Sequence, residues 1–66
     1  MRITVNGVDE SLPQGWTLGD LVARHRPEQA GSAVAHNGMV VPRIRYRSTV
    51  LAPGDVVEIV TAVQGG

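Results

Sequence analysis

Apolar and polar residues alternate from the start of the chain. In Arg2-Ile3-Thr4-Val5-Asn6, Ile3 and Val5 fall on one face and Arg2 and Thr4 on the other, the period of a half-buried strand. Asn6-Gly7 follows as a hairpin signal, because both residues tolerate the positive φ that tight primed turns require. Val8 to Leu12 is then the expected return strand, marked by Val8 and Leu12 and ended by Pro13, Gln14 and Gly15. The period changes after that. Leu18, Leu21 and Val22 share one helical face, and His25 continues it a turn later, bordering the core. Thr17 and Asp20 stand at the spacing of a capping box, and Trp16 stands where a hydrophobic staple would meet Leu21. Pro27 ends the helix, since the residue before a proline is pushed out of the helical region.

Strand signals return beyond Gly31. Ala33-Val34-Ala35 reads as a strand, Asn37-Gly38 as a second turn, and Met39-Val40-Val41 as a short strand stopped by Pro42. Between Arg43 and Thr49, Arg43, Arg45 and Arg47 alternate with Ile44 and Tyr46, which fits either an edge strand or an irregular turn exposing a basic stripe. Ala52-Pro53-Gly54-Asp55 is a turn with proline pre-set for its first corner and glycine free to take positive φ. From Val56 to Val63 the chain is rich in β-branched residues and forms the clearest strand. In it Val57, Ile59 and Thr61 are expected to face the core, leaving Val56, Val60 and Ala62 on the other side.

A hairpin, one helix and further strands make an α+β layer structure, a mixed sheet covered by one helix. If the last strand lies parallel beside the first, the right-handed crossover rule places it in the centre, which is the ubiquitin-like β-grasp. Residues 1–62 form the expected domain and 63–66 a tail, with nothing in Gln64-Gly65-Gly66 to anchor it to the core.

Composition narrows what such a domain can do. A chain of 66 residues buries only about 60% of the surface its unfolded form exposes, which leaves little room for an enclosed active site. The core must be aliphatic, since Phe is absent and Trp16 and Tyr46 are the aromatic residues, and without Cys no disulfide reinforces it. No apolar run approaches the roughly 18 residues that span a bilayer, and no signal peptide precedes the first strand, so the cytoplasm is the expected compartment. Six arginines balance six acidic residues, so no net charge draws the molecule toward nucleic acid or an anionic membrane. Lysine is absent, and the chain therefore has no side-chain amine on which to receive an isopeptide bond. His25 and His36 stand far apart with no evident carboxylate partner at ligand spacing, which argues against a metal site. No nucleophile and base pair appears at a plausible spacing, so the chain is not expected to be an enzyme.

Four stretches carry a resemblance: the opening strand with Asn6-Gly7, the segment from Val34 to Arg43, the turn and strand from Pro53 to Val60, and the ending Ala62-Val63-Gln64-Gly65-Gly66. In order and spacing the chain is similar along its whole length to the small sulfur carriers of thiamine biosynthesis, the ThiS family. It departs from the usual pattern at His36, where an aliphatic residue is commoner, and at Arg45 and Arg47.

The resemblance implies that the reactive group is the Gly66 carboxylate, with Gly65 and Gln64 forming the tail that presents it. A partner adenylating enzyme of the ThiF type would use ATP to make an acyl-adenylate, and a sulfur donor protein would convert that to a thiocarboxylate. The thiocarboxylate would pass its sulfur to a thiazole synthase of the ThiG type. The chain itself would bind no cofactor. Diglycine suits the role sterically, since a chain end without Cβ atoms can thread a narrow channel. Val63 to Gly66, if extended, reach roughly 13 Å. Val60 and Arg43 are candidate partner contacts. The same tail would serve a molybdopterin-synthase-type small subunit or a ubiquitin-like protein modifier, and a β-grasp binding module would not need a free Gly66 at all.

Overall fold

The computed structural model describes residues 1–26 and 32–61, Thr61 by its backbone alone. The expected start, hairpin and helix are all present. β1 (Arg2–Val5) and β2 (Val8–Ser11) pair antiparallel, with Val5 opposite Val8 across a turn in which Asn6 and Gly7 have φ of 50° and 81°. The N-terminal ammonium of Met1 donates to the Leu12 carbonyl at 2.6 Å, and Leu12 N–H donates back to the Met1 carbonyl at 2.8 Å, closing the far end of the hairpin.

The one α-helix among the described residues, α1 (Leu18–His25), starts at the anticipated capping box. Asp20 N–H donates to Thr17 Oγ1 at 3.2 Å, and Thr17 N–H donates to Asp20 Oδ2 at 2.9 Å. Two of the amides that a helix start leaves unpaired are thereby satisfied, and losing such a cap costs about 1 kcal/mol. The helix ends at Arg26, whose left-handed φ of 49° stops it immediately before Pro27. Leu18 and Leu21 are fully buried and Val22 half-buried, and a turn further on the His25 side chain is 32% exposed and reaches Glu10 of β2.

β3 (Ser32–His36) and β4 (Met39–Val40) form the second hairpin, and a 3₁₀ helix follows at Arg43–Ser48. β5 (Val56–Thr61) completes a five-stranded sheet in the order β2-β1-β5-β3-β4. It runs parallel to β1, with Thr4 opposite Val56, and antiparallel to β3, with Val34 opposite Ile59. The mixed sheet with its one helix is the β-grasp, and the last strand is central. Two asparagines strengthen that position. Besides turning its hairpin, Asn6 accepts from Ile59 N–H at 2.8 Å through its side chain, and Asn37 accepts from Val56 N–H at 2.8 Å.

Ile3, Val5, Leu12, Leu18, Leu21, Val34, Leu51 and Val57 form one aliphatic cluster, with Trp16, Val22, Tyr46 and Ile59 packed at its margin. Burying each such aliphatic side chain stabilises the fold by about 1.5–3 kcal/mol. The start of α1 is fixed to this cluster by the backbone. Leu18 N–H donates to the Thr49 carbonyl at 2.7 Å and Leu51 N–H to the Trp16 carbonyl at 2.9 Å. The expected placement of Thr61 toward the core and of Ala62 away from it, the continuation of the strand to Val63, and the boundary between residues 1–62 and the tail lie outside the described side chains and residues.

Candidate functional site

β5 is the element that leads toward the diglycine. It is hydrogen-bonded on both sides, and its last described residue, Thr61, stands opposite Ser32 of β3. Gln64, Gly65 and Gly66, singled out as the tail and its reactive end, lie outside the described residues, as does the expectation that they move freely. The described part of the site is therefore the strand that carries them and the surface around it.

That surface is set by the alternation of β5. Val57 is buried and Ile59 half-buried on the helix side, as expected. On the other face Val56 is 45% and Val60 60% exposed, with Glu58 between them. Ala33 lies opposite Val60, Ala35 lies opposite both Glu58 and Val40, and Thr4 lies opposite Val56. Directly opposed residues share a face of a sheet. Val60 is thus part of an apolar strip with Ala33, Ala35, Val40 and Val56 rather than a lone exposed valine, and Glu58 supplies its one charge.

Arg43 stands apart from that strip. It is exposed at the first position of the 3₁₀ helix, a segment that approaches α1 at Gly19. The two candidate contacts therefore belong to different surfaces. The segment around Arg43 is neither edge strand nor irregular turn. Pro42, at φ −62° and ψ 144°, delivers the chain into a 3₁₀ turn, and Arg45 N–H donates to the Pro42 carbonyl at 2.8 Å. The hydroxyls of Ser48 and Thr49 also donate to the Arg45 carbonyl, at 3.2 and 2.7 Å. Tyr46 tucks partly under the core while Ile44 stands 89% exposed. Gly19 lies against this segment, and a Cβ there would come within 3.6 Å of the Tyr46 backbone.

Both histidines have the carboxylate partners that spacing did not reveal. His25 Nε2 lies 2.9 Å from both carboxylate oxygens of Glu10 on β2, with Arg24 at 3.9 Å from the same group. His36 Nε2 lies 2.7 Å from Asp55 Oδ2. An ionised carboxylate only accepts, so Nε2 carries the proton in the His36 pair. Asp55 also accepts from Ala52 N–H at 2.9 Å and Asn37 Nδ2 at 3.1 Å. Burial pushes the Asp55 carboxyl up, but the hydrogen bonds from His36, Ala52 and Asn37, with the charge of His36, outweigh it and hold the group below its ordinary value. The four residues lock the β3–β4 turn to the turn before β5. Among the described residues no three His, Asp or Glu side chains converge as a metal site would require, and no helix is long and apolar enough to cross a membrane.

The sheet order, the single helix and the position of the diglycine can be compared with known proteins. A model of the ThiS family matches residues 2–66. The chain belongs to the ThiS family. It is 29% identical over 66 residues to the sulfur carrier protein ThiS of Escherichia coli (strain K12), covering 100% of both chains. Among solved structures it is similar to the crystal structure of the thiamine biosynthesis protein ThiS from Geobacter metallireducens, with a TM-score of 0.84 and 29% identity over 100% of each chain. The solution NMR structure of a thiamine biosynthesis protein from Geobacter metallireducens matches with a TM-score of 0.81, 29% identity, and coverage of 100% of this chain and 88% of that one. The β-grasp of this chain is thus the fold of its ThiS relatives, and the family match runs through the terminal Gly65-Gly66.

Proposed function

We propose that this chain is a sulfur carrier of thiamine biosynthesis whose working group is the Gly66 carboxylate. The observation that carries the reading is the match to the ThiS family over residues 2–66, which takes in the fold and the diglycine together. A carboxylate oxygen is a poor leaving group, so the acid must first be activated. Attack of the Gly66 carboxylate on the α-phosphorus of ATP, on a ThiF-type adenylating enzyme, releases pyrophosphate and leaves an acyl-adenylate. Hydrosulfide released by a donor protein then adds at the carbonyl carbon and expels AMP, leaving the thiocarboxylate. A ThiG-type thiazole synthase takes up that sulfur.

This chain's own part is presentation. It holds no cofactor, ATP belongs to the partner, and no residue of the chain acts as a catalyst. β5, held from both sides, gives the tail a fixed base, and the apolar strip containing Val60 is the contact offered to the cytoplasmic partners, with Arg43 at a separate margin. Gly65 and Gly66 lack the Cβ that would block a narrow entry channel.

The test is ATP–pyrophosphate exchange with the cognate adenylating enzyme, run beside thermal unfolding. Deleting Gly66, or substituting Gly65→Val, leaves the unfolding midpoint unchanged and abolishes exchange, because reacting groups must approach within about 3–3.5 Å. Intact mass after addition of a sulfur source shows replacement of one oxygen by sulfur. Parental exchange by the deletion variant removes Gly66 as the reacting group, and an amide-linked adduct on another protein would make the chain a modifier instead.

A further inference from the structure

Where the β3–β4 hairpin meets the 3₁₀ helix, His36, Met39, Val40, Val41, Pro42, Arg45 and Thr49 line a groove of about 460 Å³. Its size is at the small end of the ~300–1,000 Å³ typical of ligand pockets. Its walls are not those of an enclosed small-molecule site, since Met39 and Val40 are each 73% exposed. A small molecule would remain largely in water there, whereas a polypeptide segment can place one side chain inside and lie across the lips.

The charge around the groove is one-sided. From Ser32 to Gly54 the sequence holds His36, Arg43, Arg45 and Arg47 and no acidic residue. The carboxylate that borders this segment, Asp55, is taken up by His36, Asn37 and the Ala52 amide. Among the described residues no carboxylate lies within ion-pair distance of Arg45 or Arg47. None of the other described acids lines the groove. Asp9 meets Arg2, Glu10 meets Arg24 and His25, Asp20 caps α1, and Glu58 lies on the outer face of β5. The apolar lining and the guanidinium thus face outward together, with Met39 adding a thioether that repacks around different shapes.

We propose that this groove is a docking site for an acidic segment of a partner protein, which seats one aliphatic side chain among Met39, Val40, Val41 and Pro42 and sets a carboxylate against Arg45. Guanidinium and carboxylate can pair through two parallel hydrogen bonds, so the contact selects register as well as charge. The site does not use the C-terminal tail, and it shares only Val40 with the apolar strip around Val60.

The experiment is an amide chemical-shift titration of the full chain with the peptide acetyl-Glu-Glu-Leu-Glu-Glu-amide in the millimolar range. Parallel titrations use a Lys-Lys-Leu-Lys-Lys peptide and a Glu-Glu-Ser-Glu-Glu peptide. Saturable shifts are expected at His36, Met39, Val40, Arg45 and Thr49 with the first peptide, weakening at high salt. Arg45→Glu should weaken binding by about tenfold or more, with Arg45→Gln between it and the parent, and Met39→Ser should weaken it with no change in salt dependence. Both positions are exposed, so the variants keep the parental spectrum elsewhere. Deleting Gly66 should leave binding unchanged, so failure of the tail chemistry and failure of this proposal are separately visible. The proposal is overturned by absence of saturable shifts, by shifts confined to Val56, Glu58 and Val60, by equal binding of the lysine or serine peptide, or by parental affinity in Arg45→Glu.

Discussion

Along β5, Val57 is fully buried in one cluster with Leu18 and Leu21, while Val56 and Val60, on the opposite face of the same strand, stand 45% and 60% exposed. The amino-acid types are alike and the backbone is shared, so the difference lies in what covers each face. On the helix side Ile3, Val5, Val34 and Val57 are all buried. On the other side Val40, Val56 and Val60 form a strip with two alanines, and none of the described elements covers it. The buried face accounts for folding, and the open one adds apolar surface that the isolated fold does not need. Surface of that kind marks an interaction site more often than an accident when it is contiguous.

Substitutions on the two faces sharpen this contrast. Leu21→Ala removes a side chain with no exposure and should cost about 2–5 kcal/mol, enough to unfold much of the population of so small a domain. A denaturant midpoint equal to the parent's would mean that the covered face does not carry the fold. Asp55→Asn acts at the edge of the buried side and should show itself in acid. The Asp55 pKa lies below its ordinary value in the folded state, so its stabilising contribution is complete above the unfolded carboxyl pKa of about 3.9. It is lost as the pH falls through the folded value. Denaturant midpoints followed from neutral pH to below pH 3 should therefore drop more steeply for the parent than for the variant, the variant starting lower. Parallel curves would show that the His36–Asp55 contact adds nothing to stability. Val60→Ser is the smallest effect, within about 0.5 kcal/mol of the parent, yet it should slow pyrophosphate exchange with the adenylating partner. A large loss of stability there, or an unaltered exchange rate, would erase the distinction between the faces.

What the sequence discloses and what it hides divide along a physical line. The capping box of Thr17 and Asp20 was legible because both partners lie within one turn of helix, and the Asn6-Gly7 and Asn37-Gly38 turns because their φ requirements are local. The central place of β5 followed from the handedness rule once a parallel pairing was assumed. The alternation from Arg43 to Arg47 fits an edge strand or an irregular turn, but the segment is set as a 3₁₀ helix by Pro42, by the hydroxyls of Ser48 and Thr49, and by its close approach to Gly19. The last of these depends on residues more than twenty positions away in the chain. The histidine partners were hidden for the same reason, since Glu10 and Asp55 lie 15 and 19 residues from His25 and His36. The asparagine side chains that bind β5 were read only as turn formers. Of the candidate site, the apolar character of Val60 was visible in the strand pattern, whereas its assembly with Ala33, Ala35 and Val40 needed the register of β3 and β4.

The central position of β5 also governs when this molecule can exist. A chain made from its N-terminus produces the first hairpin, the helix and the second hairpin before residues 56–61, yet the strand that joins the two halves of the sheet is the one still missing. Until it is made, β1 and β3 lack their common neighbour and the aliphatic cluster lacks Val57. Pairing residues 4 and 5 with 56 and 57 closes a loop spanning most of the chain, the kind of distant contact that slows folding. Folding is therefore deferred until β5 has been made, and a nascent or truncated chain that stops short of β5 has no folded surface to offer a partner.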